Sequence, residues 1–222
     1  MDAHEFWRLL HLATFVYWLG ADLGVFYSSR FVINSAYTPE TRAVLLKTLV
    51  WLDMVPRYAL LLTLPVGLQL AGGLGLSPLS SGWLWLVWLG FAAWIVLAFQ
   101  IHRRQGSDVV KALTNIDLAL RFALILVLAL SAILSLSGSD IFGTPWLALK
   151  VLLFAGAVAC GVMIRITFRP FELAFGEIMK NGSTPEVETR LRASLNSAAR
   201  WVVLLWIVVA AAAYVGITQP GL

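Results

Sequence analysis

The sequence predicts an all-α polytopic membrane protein with six transmembrane helices arranged as three helical hairpins. Of its 222 residues, 60% are hydrophobic and only 13% are charged, whereas soluble domains are about half apolar and a quarter charged. Six apolar stretches each approach the roughly 20 residues that a helix needs to cross a bilayer. These stretches occupy most of the chain, so we expect one transmembrane domain over residues 1–222 and no sizeable soluble domain.

The predicted spans follow directly from the apolar runs. They lie, in order, at about residues 7–28, 56–76, 83–101, 118–137, 145–167 and 200–218. They pair into hairpins over about residues 5–77, 82–138 and 144–219. The first span does not resemble a cleavable signal, because its flank MDAHE is acidic and no small-residue cleavage site follows it.

The segment before the second span predicts a helix that begins outside the membrane. Thr38 is a suitable helix cap, and Pro39 follows it at the first helical position. Pro56 and Pro65 lie further along the same helix and are expected to bend it, because proline donates no backbone hydrogen bond.

The segment between the fifth and sixth spans also predicts helices that extend beyond the membrane. Asn181 and Gly182 mark the end of a helix that continues from span five. Ser183 or Thr184, followed by Pro185, then begins the helix that runs into span six.

The cations lie mainly in the segments that follow spans one, three and five. Of the 16 lysines and arginines, only Arg8 and Lys150 lie on the opposite side. The positive-inside rule therefore places both termini away from the cytoplasm, in a bacterial inner membrane. Topology and anionic lipid explain the basic charge, so we expect membrane lipids as partners and no nucleic acid.

An approximate internal repeat appears at the starts of spans two, four and six. The three segments DMVPRYALLL, DLALRFALIL and NSAARWVVLL share an acid or its amide, three residues, an arginine and an aromatic residue. The repeated arginines are Arg57, Arg121 and Arg200. They either anchor the helices at the inner interface or converge on one anionic ligand, such as a propionate, a phosphate or a lipid headgroup.

Two ionisable residues, His11 and Asp22, lie within the first span. At about 100° per residue, eleven residues place them on one helix face, about 16 Å apart along the axis. Trp18 lies near the same stripe. Because ionisable groups in a span face the bundle interior, we expect this face to point inward.

These two residues are expected to have different neighbours. Arg8 and Lys150 add positive charge at the outer level of His11. Asp22 lies in the inner half of the membrane, where Arg57 or Arg121 would be a suitable partner.

His11 is the candidate metal ligand of the chain, because haem in helical bundles takes axial histidines. The other histidines are His4 and His102. Topology puts His102 at the inner end of span three, too far from His11 to share one iron. Two interpretations remain: a haem held by one histidine, with or without a second ligand that is not histidine, and a histidine that is hydrogen-bonded within the bundle. The lone Cys160 lies inside a span and is expected to be inert.

The first span also resembles the opening helix of two related membrane families. These are the CopD-type copper-resistance proteins and the HemJ-type protoporphyrinogen oxidases. In WRLLHLATFVYWLGADLGVFYSSRFV, an early histidine is followed by a Trp-x-Gly element, and Arg8 is similar to the HemJ-type lysine three residues before that histidine. GWLWLVWLGFAAWIVLAFQIHRR is similar in layout to the HemJ-type third helix. The resemblance covers roughly the first 130 residues and implies a haem b or porphyrin environment with His11 as an axial ligand.

The chain departs from these families at three points. Ala98 stands where the HemJ-type third helix carries a second histidine, and the hairpin over residues 145–218 is not part of the usual four-helix core. Met54, Met163 and Met179 do not form a ladder suited to copper. These departures argue against porphyrinogen oxidation and against a copper path.

Three functions follow as expectations. The leading one is a haem- or porphyrin-associated redox protein with haem b bound at His11 and the inner arginines near propionates. The second is a transporter of copper or another small solute with Asp22 in the path. The third is a non-catalytic subunit of a larger membrane complex. The expected protein partners are further copies of this chain, in a homo-oligomer, or a larger membrane complex. Whether the chain is an enzyme stays open; if it is one, an oxidoreductase is expected.

Overall fold

The computed structural model describes residues 2–77, 79–104 and 108–220, with only the backbone described at Asp108. These residues form seven α-helices: α1 Ala3–Val32, α2 Pro39–Leu52, α3 Met54–Gly73, α4 Ser81–Arg103, α5 Asp108–Leu136, α6 Pro145–Asn181 and α7 Pro185–Thr218. Six helical stretches are long and apolar enough to cross a membrane when α2 and α3 are counted together. The predicted all-α polytopic membrane fold is therefore confirmed.

The predicted helix boundaries are confirmed where capping residues define them. The backbone N–H of Thr41 donates to Thr38 Oγ1 at 3.4 Å, and α2 begins at Pro39. Helix α6 ends at Asn181, and Gly182 follows with φ of +86°, a conformation that favours glycine at helix ends. The capped ends show that α2, α6 and α7 extend well beyond the predicted apolar spans.

The helix over the second span is interrupted, rather than only bent. Helix α2 ends at Leu52 and α3 begins at Met54, with Asp53 between them. Pro56 has no N–H to donate to the carbonyl of Leu52, so the hydrogen-bonded ladder cannot continue through this turn. Pro65, in contrast, lies inside a continuous α3.

The helices group into two compact units. The first contains the described residues of 1–16, 58–159 and 208–222, and the second contains residues 17–57 and 160–207. Four helices, α1, α3, α6 and α7, contribute residues to both units.

The core of the second unit is built on aromatic residues of α6. The rings of Phe168 and Phe171 stack with centroids 4.5 Å apart, and Phe175 continues the stack at 6.2 Å from Phe171. Spacings of three and four residues place these rings on one helix face. Apolar residues of the other helices complete this core, among them Val32 of α1, Leu49 of α2 and Leu191 of α7.

A buried ion pair lies beside this core and joins α2 to α7. Arg42, which is 1% exposed, donates to both carboxylate oxygens of Glu188 at 2.6 and 3.1 Å. Arg42 Nε also donates to the Val32 carbonyl at 2.7 Å, and Ser183 Oγ donates to Glu188 Oε1 at 2.6 Å. Each charged group therefore has several partners, as buried charges require.

The electrostatic balance at Glu188 favours the carboxylate. Glu188 lies in the first turn of α7, well before the apolar segment at 200–218. Burial raises the pKa of the Glu188 carboxyl, but hydrogen bonds from Arg42 and Ser183 and the positive charges of Arg42 and Arg192 outweigh that effect. The pKa of Glu188 therefore lies below its usual value, and the carboxylate stays ionised at neutral pH.

Glu188→Ala is expected to lower the free energy of unfolding by about 3–5 kcal/mol, because it leaves the buried Arg42 guanidinium without its partner. Denaturant titration of the purified protein in detergent measures this loss. Arg190→Ala is the matched control, since its ion pair with Glu177 is exposed and such pairs contribute about 1 kcal/mol at most. Equal losses in the two variants would contradict the role assigned to the buried pair.

Candidate functional site

His11 packs directly on α3 at Gly67. A Cβ atom added at Gly67 would lie 3.2 Å from His11 Cε1 and 3.6 Å from Nδ1, so the imidazole occupies the space that a side chain would need. Nearer the start of α1, His4 Nδ1 lies 3.7 Å from the corresponding position at Gly73. The earlier histidine, His4, faces the later glycine, Gly73, and His11 faces Gly67. The helices α1 and α3 therefore run antiparallel, with an imidazole against each glycine.

The Nδ1 atom of His11 is buried and has no hydrogen-bond partner among the described residues. An unsatisfied buried polar atom costs about 1–3 kcal/mol, and native proteins contain few of them. The other ring nitrogen, Nε2, lies farther from Gly67, at 4.0 Å from the added Cβ position. The imidazole of His11 is thus held in place by packing against α3, and its Nδ1 is available to a ligand or to water.

Of the two cations predicted beside His11, Lys150 lies in the same unit and close enough for its charge to act on the imidazole. Arg8 is exposed on α1. A Cβ atom added at Gly216 would lie only 2.5 Å from Lys150 Nζ. Gly216 is in the last turn of α7, where the partial negative charge of a helix end favours a cation.

Two more polar atoms of the first unit lack partners among the described residues. These are the indole Nε1 of Trp146 and Oγ1 of Thr144, and both atoms are buried. Trp146 is 6% exposed and lies four residues before Lys150 on α6. Neither Thr144 nor Trp146 was predicted as part of a site, although the spacing of four residues between Trp146 and Lys150 was the available signal.

A cleft of about 290 Å³ opens between the first residues of α1 and the last residues of α3. Its lining residues are Ala3, His4, Trp7, Gln69, Leu70 and Gly73. His4 therefore lines this cleft, while His11 does not.

The inner arginines are engaged by neighbouring acids in two of the three repeats. Arg57 donates to Asp53 through two nitrogens. Arg121 Nε donates to Asp117 at 3.0 Å. Arg200, whose repeat carries an amide in place of the acid, is exposed. Anchoring at the inner interface and convergence on one anionic ligand both stay predictions for these arginines.

Asp117 receives a further hydrogen bond across helices. Trp94 of α4 donates its Nε1–H to Asp117 Oδ1 at 2.7 Å, and Asp117 is 1% exposed. The guanidinium of Arg121 also lies over the Trp94 ring, 5.8 Å from the centroid. This network joins α4 to α5 within the first unit.

Asp22 is buried in the second unit, with 8% of its surface exposed. Its Oδ2 accepts a hydrogen bond of 2.7 Å from Trp206 Nε1 on α7, and the Trp206 ring packs edge-to-face on Phe26. The sequence suggested an arginine partner for Asp22 and gave no indication of Trp206. Trp18, predicted near the same stripe of α1, is buried as well.

The available ligands limit which metal groups His11 can hold. The described residues contain no group of three or more His, Cys, Asp and Glu side chains that could bind a metal ion. A bare copper or zinc ion needs several such ligands, whereas haem iron takes four nitrogens from its porphyrin and an axial ligand from the protein. One imidazole with an ammonium nearby therefore fits a haem better than a bare ion.

No family model, curated protein or solved structure matches the chain. The resemblance to the CopD-type and HemJ-type proteins stays a prediction from the residues that carry it.

Gly67→Ala is expected to lower the free energy of unfolding by about 1–3 kcal/mol, because the new methyl group overlaps the His11 ring. Gly20→Ala is the control: its Cβ would meet nothing within 4 Å, so it should stabilise the helix by about 1 kcal/mol. Thermal and denaturant unfolding in detergent measure both changes.

The double variant His11→Ala/Gly67→Ala identifies the cause of that loss. With the imidazole removed, Gly67→Ala should become as favourable as Gly20→Ala, since the overlap is gone. A Gly67→Ala penalty that persists without His11 would contradict the packing described here.

Proposed function

We propose that this integral membrane protein binds haem b or a related porphyrin and takes part in redox chemistry, with His11 as the axial ligand. The observation that carries the proposal is the His11 imidazole, which lies within a membrane span and has a buried, unpartnered Nδ1. The resemblance of the first span to CopD-type and HemJ-type helices supports the same assignment. The positive-inside pattern further supports a bacterial inner membrane with both termini outside the cytoplasm.

The residues around His11 have separate roles in this proposal. Gly67 lets α1 approach α3 closely and fixes the plane of the imidazole. Nδ1, the ring nitrogen without a hydrogen-bond partner among the described residues, is the atom assigned to the bound group. Apolar helices keep water from the site, which helps to set the reduction potential of a bound haem. When bound, the haem would supply one-electron transfer.

The absorption spectrum of the purified full-length protein tests this function. We expect a Soret band that is lost in His11→Ala, because the axial ligand is removed. His4→Ala and His102→Ala are the matched controls and should retain the band, since the first lines a separate cleft and the second lies at the end of α4. A colourless, iron-free preparation from haem-replete cells would exclude the haem proposal.

A second candidate function is transport of copper, protons or another small cation, and Asp22 is the observation that favours it. A carboxylate buried in a membrane span is costly and commonly marks an ion path. Its hydrogen bond from Trp206 leaves Oδ1 as a further acceptor for a passing cation.

Flux into proteoliposomes tests transport with Cu⁺ and with protons as separate probes. Asp22→Asn should abolish the flux while the unfolding temperature stays within a few degrees of the parent protein, because the amide retains the volume and the hydrogen bond from Trp206. Asp140→Asn, in an exposed loop, is the control. Unchanged flux in Asp22→Asn would exclude this path.

The third candidate, a non-catalytic subunit, has its own outcome in these two experiments. A protein that is colourless, shows no flux and purifies only with a larger membrane complex would be assigned this role.

A further inference from the structure

The buried polar atoms without partners in the described chain all lie in the first unit. They are His11 Nδ1, Thr144 Oγ1 and Trp146 Nε1. Buried polar atoms elsewhere in the described residues are hydrogen-bonded, as in the Trp94–Asp117 and Arg42–Glu188 contacts. The first unit therefore has unused hydrogen-bonding capacity concentrated near His11 and the start of α6.

Lys150 adds a positive charge to this region. Lys150 lies one helical turn after Trp146, so the two side chains project from the same face of α6. Its charge acts on His11, and within the described residues it forms no ion pair with a carboxylate. Its Nζ is held close to α7 because Gly216 has no side chain.

The chemistry of these groups defines the missing partner. A lysine ammonium and an indole N–H can only donate hydrogen bonds, whereas a hydroxyl and a neutral imidazole can do either. A partner that satisfies them must therefore bring acceptor atoms, and the ammonium favours a negative charge. A carboxylate offers two oxygens with about four acceptor sites.

We propose that the first unit binds a carboxylate through Lys150 Nζ and Trp146 Nε1, beside His11. The carboxylate belongs either to a porphyrin propionate or to a free small acid, which share this chemistry. The inference does not depend on iron, so it goes beyond the proposed haem function and is tested separately from it.

The experiment uses iron-free protoporphyrin IX and the full-length protein in nanodiscs, with quenching of tryptophan fluorescence as the readout. The free acid should bind, and Lys150→Met should raise its Kd about tenfold or more, because a hydrogen bond to a charged group is lost. The dimethyl ester of the same porphyrin should bind equally to the parent protein and to Lys150→Met. Butyrate should displace the free acid if the site accepts small carboxylates and should have no effect if it requires a porphyrin.

Two further variants separate the role of the site from a folding defect. Trp146→Phe removes the N–H and keeps an aromatic ring, and should raise the Kd about three- to tenfold. Gly216→Ala keeps the lysine at position 150, but the added methyl group must displace the flexible end of the Lys150 side chain. It should therefore weaken binding of the free acid without loss of fold. Gly90→Ala and Arg8→Met are the controls, since the first meets nothing within 4 Å and the second removes an exposed cation.

The proposal would be overturned if the parent protein bound the free acid and the ester equally. Unchanged Kd values in Lys150→Met and Gly216→Ala would overturn it as well. Water would then be the partner of Lys150 Nζ and Trp146 Nε1. A missing Soret band with intact free-acid binding would exclude the haem function alone.

Discussion

A polar group inside a bilayer must find its partner within the protein, and most of this structure follows from that requirement. Lipid offers no hydrogen bonds to backbone groups, so the chain crosses the membrane as helices whose N–H and C=O groups pair internally. The same requirement governs the side chains. Asp117 is satisfied by Trp94 and Arg121, and Asp22 is reached by Trp206. Charged and polar residues therefore fix which helices lie together, because packing between apolar helices in lipid has little directional preference.

The two units differ in how completely their buried polar groups are paired. The second unit places a fully hydrogen-bonded ion pair beside a stack of phenylalanines, where Arg42 contacts Glu188 and the carbonyl of Val32. The first unit leaves His11, Thr144 and Trp146 with unpaired atoms. A fully paired network stabilises the fold, whereas an incomplete one requires a further partner. The proposed ligands are placed in the first unit for this reason.

The sequence predicted the fold well because composition and helix caps are local signals. Six apolar stretches, Thr38 before Pro39 and Gly182 after Asn181 lie where the helices and their ends were expected. The aspartate–arginine pairs at Asp53 and Asp117 also follow from a spacing of four residues along the chain.

The partners contributed by distant residues could not be predicted in the same way. Trp206 lies 184 residues from Asp22, and Glu188 lies 146 residues from Arg42. A single sequence does not show which helices are neighbours. The predicted partner of Asp22 was therefore one of the repeated arginines, Arg57 or Arg121. The break at Asp53 was also missed, although Pro56 indicated that the helix would deviate nearby. Trp146 is one of ten tryptophans in the sequence, and its burial without an acceptor is what distinguishes it.

The packing of His11 on Gly67 also restricts how far α1 can slide along α3. His4 and His11 are seven residues apart, and the glycines that receive them, Gly73 and Gly67, are six apart. A displacement by one turn would bring His11 to Thr63 or Leu64 in one direction and to Leu70 or Ala71 in the other, and each of these carries a side chain where the ring needs space. The His11–Gly67 contact therefore favours the observed register of α1 on α3, and it depends on the absence of a side chain at Gly67.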